Sequence, residues 1–533
     1  MSIGILECTL RDGAYITNGE FGSEVIKGII YHLAKACVEN IEVGWLKNEP
    51  HLKGSTYFKD SKEIAEYLPQ NRGDENYIAM MDYGRYDLAN LSDYDGSSIN
   101  TIRLVFPLDK FKEAIEFSKQ ITQKGYKLHL QAANTPSYSD FDLLNLCELV
   151  NKIKPESLAI VDTFGIMYAA NLAHIFMLIN HNLDKNIKIG FHSHNNLQLS
   201  FALSMEFANL AKELKRDVLI DSSLCGMGRG AGNTTTELIA NYLNSFYNSD
   251  YDINLIYDCI DIYMKKFIEK YKWGYSIPLC IAGQLGSHVN NIAYLQNAYK
   301  ASNKEIKITL ESLPPKQRVL YDYDILKEAY VNALKQEIND EAAVESLKEA
   351  IKGREILFIS PGVNATKQKA VVESYIKEKQ PLVVGINAIL EGYKFDFLFF
   401  SNKIRYEFAK VQNPKICDST QILLTSNIEN IDSSVLKFNI NNLIKTKWKF
   451  FNNSTIIALR LFAKVGVSKI NLAGFDGFSE LEGDYSYYLL ENGVKGYEKE
   501  QINKDISEML AEFIDKSGVK VEFVTKSVFS KVK

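Results

Sequence analysis

The chain has 533 residues, 46% of them hydrophobic, and a net charge of −5 with both signs spread along its length. That is enough for at least two domains, and without a basic block or stripe nucleic acid is not expected as a main partner. No apolar run approaches the roughly 20 residues of a bilayer span, and seven scattered cysteines without C-x-x-C spacing read as reduced thiols of a cytoplasmic protein.

Met1 leads into a strand-like run and not into a basic segment with an apolar stretch, so no signal peptide is expected. Strand-like runs then recur: IGILECT (3–9), NIEVGW (40–45), NYIAMMDYG (76–84), INTIRLVFP (99–107), YKLHLQAA (126–133), SLAIVDTFG (157–165), IKIGFHSH (187–194) and DVLIDSSL (217–224). Segments with helical apolar spacing lie between them, such as SEVIKGIIYHLAKACV and FDLLNLCELVNKI. The strands are near-continuous apolar runs, as expected when both faces are covered. Eight of them alternating with helices match a (β/α)8 TIM barrel better than an open doubly wound sheet.

Past residue 235 the pattern turns helical, and from 354 a second strand-helix alternation begins with EILFISPG and ends with VKVEFVTK. The expected organisation is a barrel domain over 1–310, a helical connector over 311–350, and an open, Rossmann-like α/β domain over 351–533. No internal repeat or low-complexity tract interrupts it.

In a barrel of this kind the working residues sit at the C-terminal ends of strands. Those ends carry Arg11-Asp12, Glu42, Arg103, Gln131, Asp162, and His192 with His194 in GFHSHNN. Strand residues alternate faces, so the two histidines point to one side. The bland reading is one packed and one solvated histidine. Two imidazoles at one rim, with Asp12 reaching across, instead form a divalent cation site suited to Mn2+, Fe2+, Co2+ or Zn2+, and Mg2+ less naturally. Such a site leaves positions for a 2-oxo acid, chelated through its carboxylate and keto oxygens, with Arg11 holding the oxygen as an enolate forms. The competing reading of Arg11-Asp12 is a surface salt bridge, which does not explain why the pair ends a buried strand. GMGRGAGN after the eighth strand is either a phosphate cradle or a plain turn, and Asn233 either a helix N-cap or an oxygen ligand.

Taken together, LECTLRDGAY, GFHSHNN and GMGRGAGN resemble the DRE-TIM metallolyase superfamily, the 4-hydroxy-2-oxovalerate aldolases and their relatives, from residue 3 to about 300. The resemblance implies a divalent metal on Asp12, His192 and His194, with Asn233 a ligand in the acyl-CoA branches. It implies Arg11 as the enolate-stabilising residue and places the acid of Glu42 near the site. Acyl-CoA-condensing members carry glutamine two residues past RDG, and the hydroxy-oxovalerate aldolases carry histidine; this chain has Tyr15. Tyr15 either moves the proton through its phenol or shapes the pocket while a metal-bound water does so. No counterpart of the hydroxymethylglutaryl-CoA lyase cysteine is found, and Cys225 reads as structural.

The expected function is therefore a metal-dependent, class II aldolase, with Mn2+ the favoured ion. Its substrates would be pyruvate or a close 2-oxo acid and an aldehyde, in a homo-oligomer. The resemblance extends to proteins often seen with surface-polysaccharide enzymes, so a sugar-derived aldehyde is one expectation. Arg103, Gln131 and Asp162 are expected to line the substrate pocket. The alternatives are an acyl-CoA-dependent condensing enzyme on the same barrel, or a catalytically silent binding module. In the second domain, the Pro-Gly turn of ILFISPGVNATKQ and Asp476 at the end of INLAGFDG suggest a nucleotide or phosphosugar site, against the alternative of a scaffold.

Overall fold

The computed structural model describes residues 1–430, 434–478 and 496–532. The chain divides into two compact units, Met1–Val289 and Asn290–Lys533. The helices read from the sequence as the end of the barrel domain and the connector, between 290 and 351, fall in the second unit.

In the first unit eight parallel strands close into a barrel. They are β1 (Ile3–Glu7), β2 (Asn40–Leu46), β3 (Asn76–Asp82), β4 (Thr101–Phe106), β5 (Lys127–Ala132), β6 (Ser157–Asp162), β7 (Lys188–Ser193) and β8 (Val218–Ser222). Each pairs with the next, and β1 pairs with both β2 and β8. A two-residue strand, Tyr57–Phe58, is added to the end of β2. The expected barrel is present, strand for strand. All five residues of β1 and all seven of β2 are buried, as a sheet covered on both faces requires.

The helices α1 (Ser23–Lys35), α2 (Phe111–Gln123), α3 (Asp140–Ile153), α4 (Ala169–Asn182), α5 (Ser200–Glu213) and α6 (Thr236–Tyr247) carry an apolar stripe toward the strands. Phe191 of β7 stacks on Phe207 of α5 with ring centroids 5.2 Å apart, and Phe176 of α4 meets Phe207 edge-on. Each such ring removed from water stabilises the packing by about 1.5–3 kcal/mol. The α3 start is fixed by a capping box, Ser139 accepting from the Asp142 amide while Asp142 accepts from that of Ser139. Between β2, β3 and β4 the connections carry 3₁₀ turns, at Ser61–Tyr67 and Leu88–Asn90, in place of α-helices.

In the second unit the described strands form one parallel sheet. They are β9 (Ile356–Ile359), β10 (Leu382–Ile386), β11 (Phe397–Phe400), β12 (Gln421–Thr425), β13 (Leu436–Phe438), β14 (Lys469–Ala473) and β15 (Lys520–Phe523). Their order is β13-β12-β11-β10-β9-β14-β15. The sheet is open and the connections include the helices α7 (Lys403–Gln412) and α8 (Ser454–Lys464). Among the described residues, no helix is long and apolar enough to cross a membrane.

Candidate active site

The stretch after β1 differs from its sequence reading. The strand stops at Glu7, and Arg11 and Asp12 sit on a one-turn helix, Thr9–Asp12. The Arg11 and Asp12 amides donate to the Cys8 carbonyl at 3.2 and 2.8 Å, so the turn is closed by its own backbone. Glu7 accepts from the Thr9 amide at 3.1 Å and the Leu224 amide at 3.0 Å, which pins the strand end to the loop after β8. The turn swings Arg11 and Asp12 inward, and both are buried.

Asp12, His192 and His194 converge as the sequence reading required. One ligand atom from each lies within 4.8 Å of the others, the one such acid and imidazole trio among the described residues. Each imidazole is oriented from behind. His194 Nδ1 faces the Gly232 carbonyl at 3.2 Å, and His192 Nδ1 lies 2.9 Å from Asp221 Oδ2, at an angle unsuited to a straight hydrogen bond. Both contacts favour a proton on Nδ1 and leave Nε2 as the lone-pair donor. Burial holds His194 down to about 4, so it is neutral at pH 7. Burial alone would push the Asp12 carboxyl up, but the Arg11 guanidinium, the two histidines and the Asn233 amide reverse this and hold it well below the usual carboxylate range.

Asn233 is not the N-cap of α6; Thr235 occupies that place. Its Nδ2 donates to Asp12 Oδ2 at 2.6 Å, and its Oδ1 is buried with no hydrogen-bond partner. The loop comes this close because residue 228 is glycine. A Cβ there would stand 2.3 Å from both Asp12 Oδ2 and Asn233 Nδ2. Within GMGRGAGN the Arg229 amide donates to Asp12 Oδ2 at 3.2 Å and the Ala231 amide to Asn196 Oδ1 at 3.0 Å. The loop therefore serves as a turn that seats Asn233.

Arg11 donates through Nε to Glu42 Oε2 at 2.7 Å and through Nη1 to Asp12 Oδ1 at 2.5 Å, while Nη2 is buried and unpartnered. Trp45 lies beside the guanidinium and donates to the Arg11 carbonyl at 2.9 Å. Glu42 is thus the counter-ion of Arg11, shared with Arg103 Nη1 at 3.3 Å. Arg103 also binds Asp221, so both its arms are engaged by protein carboxylates. Gln131 is buried on β5 with Oε1 unpartnered. Asp162 accepts from the Ile166 and Met167 amides at 2.8 and 3.0 Å, shaping the loop after β6, and burial pushes its carboxyl up to about 6.

Tyr15 stands on the next helical turn, with nearly half its surface (48%) open to solvent. Its ring meets Trp45 edge-on at 5.7 Å, and the Arg229 guanidinium lies 5.1 Å from its centroid. Desolvation in the crowded mouth outweighs the two nearby guanidinium charges and holds the phenol up to about 12. Cys225 donates nothing to this centre; burial pushes its thiol up to about 12, away from nucleophilic chemistry.

Asp221 is the main residue the sequence reading missed. The linked network of Arg11, Arg103, Asp12, Glu42 and Asp221 sets two guanidinium groups against three carboxylates, all buried. One negative charge is left over in a low-dielectric place, with an unpartnered amide oxygen and two Nε2 lone pairs beside it. That donor set fits a divalent cation.

A closed parallel barrel with an acid and imidazole centre at its strand ends defines the class of protein, and comparison with known proteins agrees. Residues 99–262 match the family model described as HMGL-like, which bears out the resemblance to DRE-TIM metallolyases over that segment. Among curated proteins, the chain is 26% identical over 248 residues to 4-hydroxy-2-oxovalerate aldolase of Chloroflexus aurantiacus, covering 45% of this chain and 68% of that protein. It is 20% identical over 263 residues to oxaloacetate decarboxylase of Mycobacterium tuberculosis, covering 48% and 74%. Among solved structures, Bacillus subtilis HMG-CoA lyase superposes with a TM-score of 0.41 at 17% identity, covering 50% of this chain and 93% of that one. Arg11, Asp12, Tyr15 and Glu42 lie outside the HMGL-like segment, so their assignment rests on the geometry above.

Proposed function

We propose that the barrel is a divalent-metal-dependent aldolase that makes or breaks a carbon–carbon bond between the enolate of a 2-oxo acid, pyruvate or a close analogue, and an aldehyde. The observation that supports this reading is the unpartnered Arg11 Nη2 beside the trio of Asp12, His192 and His194. A cation held by that trio and Asn233 Oδ1, with Mn2+ favoured, would supply Lewis acidity toward the 2-oxo acid.

The chain's own residues do the rest. Arg11, clamped by Glu42 and Asp12, offers its Nη2 to the substrate oxygen on which negative charge develops. Arg103, locked by Glu42 and Asp221, holds that clamp in place. Gln131 offers a buried acceptor for a substrate hydroxyl. Tyr15, protonated at neutral pH, donates its phenolic proton to the alkoxide formed in the condensing direction. A second reading draws on the decarboxylase relative: loss of carbon dioxide from a four-carbon 2-oxo diacid produces the same enolate, and Arg11 would serve it equally.

The test is exchange of pyruvate methyl protons in deuterium oxide, followed by NMR with Mn2+ or Mg2+ added, then a screen of short and sugar-derived aldehydes by mass spectrometry. Exchange is expected in the wild type. Arg11→Ala should lose at least about a hundredfold of it while retaining metal. Absence of exchange in metal-loaded protein would sink the proposal, and carbon dioxide release without any aldehyde adduct would select the decarboxylase reading. Tyr15→Phe should slow condensation about a hundredfold and leave metal affinity unchanged; an unaltered rate would remove the phenol from proton transfer.

A further inference from the structure

The second unit holds a cavity of about 330 Å³ at the C-terminal ends of its strands. Its position follows from topology. From β9 the chain steps outward through β10, β11, β12 and β13, then returns to place β14 on the other side of β9. Where strand order reverses, successive loops leave in opposite directions and a crevice opens outside the carboxyl ends. Gly362 after β9 and Asp476 after β14 face each other there; a Cβ at 362 would stand 2.6 Å from Asp476 Oδ2.

The floor of the cavity is neutral and already hydrogen-bonded. Ser360 Oγ pairs with Thr455 Oγ1 at 2.9 Å, Asn387 Oδ1 accepts from the Ser401 amide at 2.9 Å, and Ser401 Oγ donates to Ser454 Oγ at 2.8 Å. These bonds fix the side chains before any ligand arrives. The N-terminus of α8, capped by Asn453, opens onto the cavity, and Arg405 and Lys300 are among the residues that line it. That end suits an anion. An aromatic wall is offered by Phe408 and Phe478, which line the cavity half-buried, while Tyr299, Phe451 and Phe475 are buried among its lining residues. Asp476 supplies the third element: Oδ2 accepts from the Asn364 amide at 2.6 Å, while Oδ1 is buried and lacks a donor. A buried carboxylate oxygen without a donor is satisfied by a ligand hydroxyl.

We propose that this cavity binds a nucleoside phosphate, with the phosphate at the α8 end, the sugar hydroxyls toward Asp476 and the base against the aromatic wall. The volume lies at the lower end of small-molecule sites and fits a mononucleotide. A free sugar phosphate would leave the aromatic wall unused. The inference is independent of the barrel chemistry.

The experiment is isothermal titration of the full chain with AMP, GMP, CMP, UMP and their diphosphates, against inorganic phosphate and glucose 1-phosphate. At least one nucleotide is expected to bind with a Kd of about 100 μM or tighter, and phosphate alone at least about tenfold more weakly. Ser454→Trp fills the floor and should abolish binding, with an unchanged far-UV circular dichroism spectrum and urea midpoint of the full chain as a check on folding. Arg405→Gln should weaken nucleotides about tenfold and leave the parent nucleoside unaffected, a readout that stands if Ser454→Trp fails to fold. No binding at about 1 mM, glucose 1-phosphate binding as tightly as any nucleotide, or unchanged affinity in the variants would each overturn the assignment.

Discussion

The barrel mouth and the cavity of the second unit both sit at the carboxyl ends of parallel strands, yet they are built from opposite materials. The mouth buries Arg11, Arg103, Asp12, Glu42 and Asp221 in one ion network. The cavity floor uses Ser360, Asn387, Ser401, Ser454 and Thr455, all uncharged. Buried charges are tolerated only when paired, and the mouth carries one carboxylate too many, which is a structural demand for a cation. The neutral floor makes no such demand and leaves charge recognition to its rim. Under the two proposals, the charged mouth would change the electronic state of what it binds and the neutral cavity would only hold it.

Removing Asp221 breaks this contrast most severely. Asp221→Ala leaves Arg103 to Glu42 alone, with Nη2 buried and unpartnered, and releases His192 Nδ1 on the other side. The hydrogen bond lost to a charged group costs about 1.5–3 kcal/mol, read as a drop in unfolding free energy in urea. Loss of the group that orients the imidazole should also weaken metal binding about 10–100-fold. If stability falls while metal affinity holds, Asp221 supports only Arg103.

The next test compares the carboxylate that ends β1, Glu7, with Asp12 on the helical turn that follows. Burial raises both, but Asp12 has cations beside it, whereas Glu7 has only hydrogen-bond donors. Burial therefore wins at Glu7 and pushes it from 4.5 to about 7. Because the folded value is raised, the native state holds a proton that the unfolded chain has released between those limits. Stability from this group is present below pH 4.5, falls as pH rises, and is gone above about 7. The change is of the order of 3 kcal/mol. Glu7→Gln has nothing to titrate there, so its urea midpoint should vary less across this window than that of the wild type. Parallel profiles would show that Glu7 stays ionised.

The strands and the metal trio were legible because each rests on a local pattern: an apolar run, or two histidines two residues apart. The barrel order followed from alternation alone. Other features were not legible. The apolar run of β1 continues past Glu7, and nothing in it announces that Glu7 turns back to the Thr9 amide and lets a helical turn start. Asp221 lies in an apolar strand as a lone acid, and its partners Arg103 and His192 are distant in sequence. Arg103 and Asp162 read as pocket residues because strand ends in barrels usually are, but their polar atoms are engaged within the protein. In the second unit the Pro-Gly turn and Asp476 were legible as candidate binding residues and both line the cavity, but the strand reversal that opens it and the α8 end that faces it were not.

The smallest effect is expected in the neutral floor, and its size separates two causes. Asn387 is held at φ 52, the left-handed region, while its side chain joins the Ser401 amide and Ser454 Oγ. Asn387→Ala loses those bonds and places a Cβ in a conformation that costs it about 1 kcal/mol, for a total of about 2 kcal/mol. Asn387→Gly loses the same bonds but is at ease in the backbone, so it should recover part of that cost. Both variants should leave metal uptake by the barrel unchanged. Should glycine prove as damaging as alanine, the hydrogen-bonded floor and not the backbone carries the stability, and a neutral network would then be worth more than its uncharged chemistry suggests.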